Sequence, residues 1–294
     1  MKFILAKDID REKWNRRIAN WSGENIFMYT WYLDSVCTHW GGLIEGDYDT
    51  ILPVSFTSRL GVKQFVQAPF TREYDIVGDR FNWEKALQFL SKKFKTIRFR
   101  NGSAELINNK NIRRHQILSL LPGIDVVKKN YSTNAKRILK KCHNFHLEES
   151  FEPEILLELF KKFVAPKIES ITAKDLRFLQ KLMEAAIQNK TGELLLVKEN
   201  NEIVAGGFFL KDKNRITYLK GAGSETAKRS GALYFLIDQA ITRYQNYSTF
   251  DFGGSDIAPV AEFYHKFGSA DRVYYEYEIS DLPLWFKTLK KIRR

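Results

Sequence analysis

Cysteine is nearly absent from this chain: Cys37 and Cys142 are the only two in 294 residues. Two cysteines cannot build a disulfide framework, and so low a count fits a reducing compartment, the cytoplasm. Long apolar runs are missing as well. None approaches the roughly 18 residues that a membrane span needs. At the N-terminus, Lys2, Lys7 and Asp8 interrupt the apolar residues too soon for a signal peptide. No phosphate-binding P-loop, dinucleotide fingerprint, zinc-protease motif or hydrolase nucleophile elbow occurs. Cys142, His143 and His146 offer three metal ligands where structural zinc wants four, so no metal site is expected. Acid is scarce relative to base: 35 Asp and Glu against 47 Lys and Arg leave a net charge of +12. That balance expects an acidic partner.

What is present suits a globular protein. The chain is 44% hydrophobic and 14% aromatic, enough for a sizeable core in one large domain or two. The positive charge is concentrated. Lys128, Lys129, Lys136, Arg137, Lys140 and Lys141 occur with no acidic residue among them. This run is either a solvated helix face or a grip for a polyanion. At the C-terminus, 284–294 places Trp285, Leu289 and Ile292 on one face with basic residues around them. It reads as a last helix covering the core, or as an interfacial helix meeting a membrane.

Two stretches of the chain echo each other. The segment Leu43-Ile44-Glu45-Gly46-Asp47-Tyr48-Asp49-Thr50-Ile51-Leu52 has an apolar run, a polar turn and a second apolar run. Leu195–Val204 repeats that pattern at an offset of 152. Ile97–Ser103 and Thr249–Ser255 stand at the same offset. Between these landmarks a third strand (63–67 and 215–219) and a helix (83–94 and 231–244) recur in the same order. The spacing therefore predicts a duplication. In the second copy it predicts helices over 154–164 and 174–188 and strands over 193–198, 203–210 and 215–220. A helix from Gly231, a strand over 248–252, a helix over 259–267 and a strand over 272–279 follow.

The corner at 251–268 is the most informative segment. Asp251-Phe252-Gly253-Gly254-Ser255 reads as a strand end and tight turn. Ser255 or Asp256 can cap the next helix, Pro259 suits its first turn, and Gly268 suits a left-handed stop. Val260, Phe263, Tyr264 and Phe267 share a face by spacing. Asp251 alternates with Phe250 and Phe252 and so points away from them. It could act as a base or orient an amine, or it could stabilise the turn, and Ser255 shares both readings. Tyr264 is either a proton donor or a packed helix tyrosine. His265, about 100° around the helix, is expected to face solvent.

The second half resembles the GNAT acyltransferase fold, and the duplication resembles the Fem-type aminoacyltransferases, which carry two GNAT-like halves. Ala261-Glu262-Phe263-Tyr264-His265-Lys266-Phe267-Gly268 looks like the late GNAT helix. Tyr131–Lys141 looks like the serine- and basic-rich stretch before the second Fem-type half. The resemblance implies an α/β (α+β) fold of tandem GNAT-like domains, each a mixed, largely antiparallel sheet flanked by helices. It places an N-terminal half at 1–125 and a C-terminal half at 126–294 with the donor site. Tyr264 would protonate the leaving group, with Asp251 and Ser255 beside it. Leu219, Lys220 and Gly221 on the strand, and Lys228, Arg229, Ser230, Gly231 and Ala232 before the central helix, would hold the donor.

One departure matters. Where GNAT proteins carry a glycine-rich pyrophosphate loop, Thr226–Ala232 keeps one glycine among basic residues. The first copy has Asn82-Trp83-Glu84 there and is expected to hold no phosphate. The implied function is acyl or aminoacyl transfer from an activated donor, acyl-CoA or aminoacyl-tRNA, to an amine. The acceptor would be a cell-envelope precursor, lipid-linked in one version, with no DNA partner. No tightly bound cofactor is implied. A catalytically silent GNAT-like module binding an anionic ligand is the alternative, and a dedicated RNA binder a third.

Overall fold

The computed structural model describes residues 1–23, 25–78, 81–102, 110–168, 171–254, 256–283, 285–286 and 288. The chain divides into two compact units, residues 1–113 with 273–294, and residues 114–272. In the first unit the strands are β1 (Lys2–Leu5), β2 (His39–Glu45), β3 (Thr50–Arg59), β4 (Val62–Val66) and β5 (Thr96–Asn101). Its helices are α1 (Arg11–Ala19), α2 (Thr30–Val36) and α3 (Trp83–Lys93). In the second unit β6 (Lys110–Ser119) leads into α4 (Ile124–Lys129), α5 (Thr133–Leu139), β7 (Phe145–Ser150), α6 (Pro153–Phe163) and α7 (Ala173–Gln188). Then come β8 (Gly192–Glu199), β9 (Glu202–Lys211), β10 (Arg215–Gly223), α8 (Glu225–Ser230), α9 (Ala232–Arg243), β11 (Thr249–Asp251) and α10 (Ala258–His265), after which most of β12 (Ala270–Ser280) belongs to the first unit.

The two units share one strand plan. In the first, β1 to β4 pair antiparallel in sequence order, β5 pairs parallel with β4, and β12 pairs antiparallel with β5. In the second, β7 to β10 pair antiparallel, β11 pairs parallel with β10, and β6 pairs antiparallel with β11. β3 and β9 run from 50 to 59 and from 202 to 211, 152 residues apart at both ends. The repeat seen in the sequence is therefore a repeat of strand order. Each sheet takes its last strand from the chain that follows the other unit's parallel strand.

Local sequence explains most boundaries. Ser132 caps α5, Ser224 caps α8, and Thr172 with Asp175 forms a capping box on α7, each satisfying orphan N–H groups. The last helix differs from its expected start. Asp256 does not cap α10; it accepts from the Arg114 backbone N–H instead, and Ile257 stands at the cap position. Ser255 lies outside the described residues. Gly268 adopts the expected left-handed conformation, φ +82°.

The second unit's core is aromatic at its centre. Phe209 stacks on Tyr218 and packs against Tyr244 and Phe250, with Leu236, Ile237 and Ile241 of α9 closing over them. The first unit stacks Phe65 on Phe99 and Trp83 on Phe99. Trp14 is fully buried, its indole N–H donating to Met28 O at 2.8 Å.

Two outcomes follow. Gly253 has φ +77°, and a Cβ there would lie 2.4 Å from the Tyr218 carbonyl oxygen. Gly253→Ala is expected to cost at least about 2 kcal/mol, read as a lowered urea midpoint; an unchanged midpoint would remove this constraint. Burial also raises the hydroxyl pKa of Tyr32, Tyr74, Tyr131, Tyr218, Tyr244 and Tyr264. A folded pKa above the unfolded value of ~10 contributes stability that is whole below pH ~10 and lost as pH rises beyond it. Tyrosinate absorbance should therefore appear together with loss of fold in one cooperative alkaline step. Gradual ionisation of these residues in the folded protein would contradict this.

Candidate active site

β10 and β11 separate in the middle of the second unit. They pair from Arg215 and Thr249 to Thr217 and Asp251. β11 ends there, whereas β10 continues along β9 to Gly223. Beyond that point the β9 register skips from Tyr218 to Lys220, so Leu219 is a bulged residue with no partner on β9. A bulge re-aims side chains and leaves ladder groups unpaired. Its effect is visible in the faces. Tyr218 stands opposite Phe209, but Lys220 stands opposite Phe208, on the other side of the sheet. Burial lowers the pKa of the Lys220 ammonium.

The end of β11 is fixed by charge. Asp251 is fully buried and accepts the Gly253 N–H at 3.0 Å. Its Oδ1 lies 3.4 Å from Nδ1 of the equally buried His115 on β6, and its Oδ2 lies 3.8 Å from Nη1 of Arg215. The chain then turns through Gly253 and Gly254, both left-handed. A Cβ on Gly254 would meet His115 Cβ at 2.7 Å. Asp251 alternates with Phe250 and Phe252 as expected, but it is buried against His115 and Arg215.

Tyr264 closes the other wall. Its half-buried ring stacks on Phe252 with centroids 4.7 Å apart and meets Tyr218 edge-on at 6.4 Å. Its hydroxyl has no hydrogen-bond partner among the described residues. Desolvation holds that hydroxyl protonated well beyond the ordinary tyrosine range. The Tyr218 hydroxyl lies over Gly221, where a Cβ would be 1.5 Å from the oxygen, so only glycine fits. His265 is exposed and bonds to Ser269 O and Asp271.

The loop expected to hold phosphate is instead helical. Ser224 caps α8, Lys228 pairs with Glu225 at 3.1 Å, and Ser230 donates to Ala227 O. Arg229 is exposed. Gly231 ends α8 with φ +94° and is buried; a Cβ there would lie 2.5 Å from Ile138 Cγ2 and 3.3 Å from Cys142 Sγ. Ala232 is fully buried. The start of α9 is thus covered by side chains, and Gly231 does not form an open cradle for a pyrophosphate. The structure brings Asp251, Leu219, Gly221 and Tyr264 to one strand opening through Tyr218 and the Gly253–Gly254 turn. It sets 228–232 on the helical connection beyond it.

The first unit has the same strand arrangement without the opening. Gln67 Oε1 accepts the Arg100 N–H at 3.0 Å, the Tyr74 N–H donates to Arg100 O at 2.8 Å, and Asn101 donates to Tyr74 O at 2.6 Å. Residues 67–75 therefore bridge β4 to β5. The start of α3 is capped by Asn82, with Glu84 in the first turn. A cleft of about 670 Å³ does occur in this unit, lined by Lys13, Arg16, Arg17, Asp47, Tyr48 and Thr50, none of which the sequence marked as a site residue. His115 and Tyr218 were also not anticipated. Among the described residues no group of three or more His, Cys, Asp or Glu is arranged to hold a metal ion, and no helix is long and apolar enough to cross a membrane.

Residues 138–266 match the acetyltransferase (GNAT) domain family. No curated protein matches the chain significantly. Among solved structures it is similar to FemX, with a TM-score of 0.68 and 12% identity over 97% of this chain and 99% of that one. It is also similar to a conserved protein of unknown function from Bacteroides thetaiotaomicron VPI-5482, with a TM-score of 0.66 and 10% identity over 92% and 97% of the two chains. A tandem GNAT protein from the clavulanic acid biosynthesis pathway gives a TM-score of 0.55 and 10% identity over 96% and 99%. At such identities the likeness is one of fold. Residues 138–266 thus match a GNAT-type acetyltransferase domain, and the chain as a whole shares the fold of FemX and of a tandem GNAT protein.

Proposed function

We propose that this protein transfers an acyl or aminoacyl group from an activated donor to an amine. The observation that carries the reading is the parted pair β10 and β11, with the Leu219 bulge on one wall and the unpartnered Tyr264 hydroxyl on the other. The donor carbonyl lies beside the bulge, where a backbone N–H freed from the ladder meets the charge that develops on oxygen. The amine nitrogen forms a bond to the carbonyl carbon, and the bond to the leaving sulfur or oxygen breaks. Tyr264 gives its proton to that leaving atom, and the proton that the new amide nitrogen releases returns through solvent to the Tyr264 oxygen. Thioesters and aminoacyl esters are already activated, so positioning accounts for most of the rate. Asp251 acts by fixing the turn, because full burial keeps it from substrate.

On this reading the second half, from 126 onward, carries the chemistry, and the first half shapes the acceptor site. The acceptor is an amine on a cell-envelope precursor, and the reaction runs in the cytoplasm, where activated donors are made. The covered start of α9 favours a donor held along the strand opening rather than by its phosphates at Gly231. The same observation favours the second reading, a silent module that binds an anionic ligand without turnover.

Titration with acyl-CoA and with aminoacyl-tRNA, followed by mass spectrometry of an amine acceptor pool, separates the two. Acceptor mass should rise by one acyl or aminoacyl unit; binding of every donor without product would leave only the silent module. Tyr264→Phe should lower kcat by about 100-fold at unchanged thermal stability. The wild-type rate should not decline near pH 10 through loss of this proton, because burial raises the Tyr264 pKa. A decline at or below pH 10 that disappears in Tyr264→Phe would contradict the assignment.

A further inference from the structure

The basic run 128–141 takes no part in the site described above, and the structure sorts its residues. Lys128 is drawn inward, 3.1 Å from the carboxylate of Asp238 on α9. Ala135 and Cys142 are buried, and Ile138 and Leu139 pack against the core. The remaining positions, Lys129, Lys136, Arg137, Lys140 and Lys141, are all exposed. None of the five has an acidic partner among the described residues. Lys136 Nζ donates to the Lys129 carbonyl at 2.6 Å, which joins the exposed face of α5 to the end of α4.

Aliphatic side chains project beside these charges. Val127 faces the core, which turns Val126 and Lys129 outward together at a three-residue spacing. Val126 is 46% exposed, and Leu121, at the turn leading into α4, is 76% exposed, the highest value of any large apolar side chain described. Gly123 between them is left-handed, with open space where a Cβ would stand. Asp125 is the one acid between Leu121 and Lys141. Exposed aliphatic side chains therefore stand next to exposed lysines along 121–141, the mixture that interfacial segments carry.

We propose that the face formed by Leu121, Val126, Lys129, Lys136 and Lys140 docks on an anionic lipid bilayer. The aliphatic side chains enter the headgroup boundary while the lysines meet lipid phosphates. RNA is the other polyanion such charge could meet. It is disfavoured because base recognition uses aromatic platforms, and no aromatic side chain among the exposed apolar residues lies on this face. The inference stands independently of the transferase reading, since it uses none of the residues at the β10–β11 opening.

Sedimentation of the full chain with phosphatidylcholine vesicles, with and without phosphatidylglycerol, tests it. Binding is expected only when phosphatidylglycerol is present, and it should weaken as salt is raised. Each of Lys129→Gln, Lys136→Gln and Lys140→Gln should weaken partitioning by roughly fivefold. The pair Leu121→Ser and Val126→Ser should weaken it further at fixed charge. Equal binding to vesicles lacking phosphatidylglycerol, or no binding to either, overturns the proposal. So does tRNA binding that Lys129→Gln, Lys136→Gln and Lys140→Gln weaken while vesicle binding stays unchanged. All five side chains are exposed, so melting temperatures should match wild type and losses can be read as lost docking.

Discussion

A buried carboxylate holds the candidate site open. Asp251 ends the short strand β11 with no solvent to stabilise its charge, and His115 and Arg215 stand in for water. Removing one member of such a cluster leaves a buried polar group without its partner, which typically costs about 1–3 kcal/mol. The same carboxylate receives the Gly253 N–H and so starts the left-handed turn. That turn carries the chain away from β10 at the point where β10 bulges. Leu219, Tyr218 and Tyr264 have their positions because the two strands part here.

The comparison between units shows that parting is not automatic in this strand plan. Both have four antiparallel strands, a parallel fifth and an antiparallel sixth. In the first unit, Gln67, Tyr74 and Asn101 bridge the corresponding strands with side-chain and backbone hydrogen bonds. In the second, β10 runs on past its partner and glycine lets the turn approach within contact of Tyr218. Duplication supplied the scaffold twice, and local residues decided which copy opens.

Much of this was legible in the sequence. Alternation and helical spacing located β8 to β12, α6, α7, α9 and α10 to within a few residues, because their apolar residues keep strand or helix spacing between turn residues. The offset of 152 was legible because both hairpins keep their lengths. Three things were hidden. β6 begins Lys110-Asn111-Ile112-Arg113-Arg114-His115-Gln116, a polar run whose strand character comes from its neighbours. His115 was therefore invisible as the partner of Asp251. The helix α8 was hidden because Thr226–Ala232 was read by resemblance as a loop, although Ser224 followed by Ala227 is an ordinary capped start. Whether Asp251 faced substrate or protein could not be decided from alternation, which gives a side and not an exposure.

The central claim is that the donor occupies the opening beside Leu219. Amide hydrogen exchange at Leu219, Lys220 and Gly221, followed as acyl-CoA or an uncleavable aminoacyl ester is added, tests it most directly. The account predicts that exchange at these amides slows on binding, with smaller changes at Asn82–Lys85 of the first unit. A donor that binds yet leaves Leu219 to Gly221 exchanging at their free rate would contradict it.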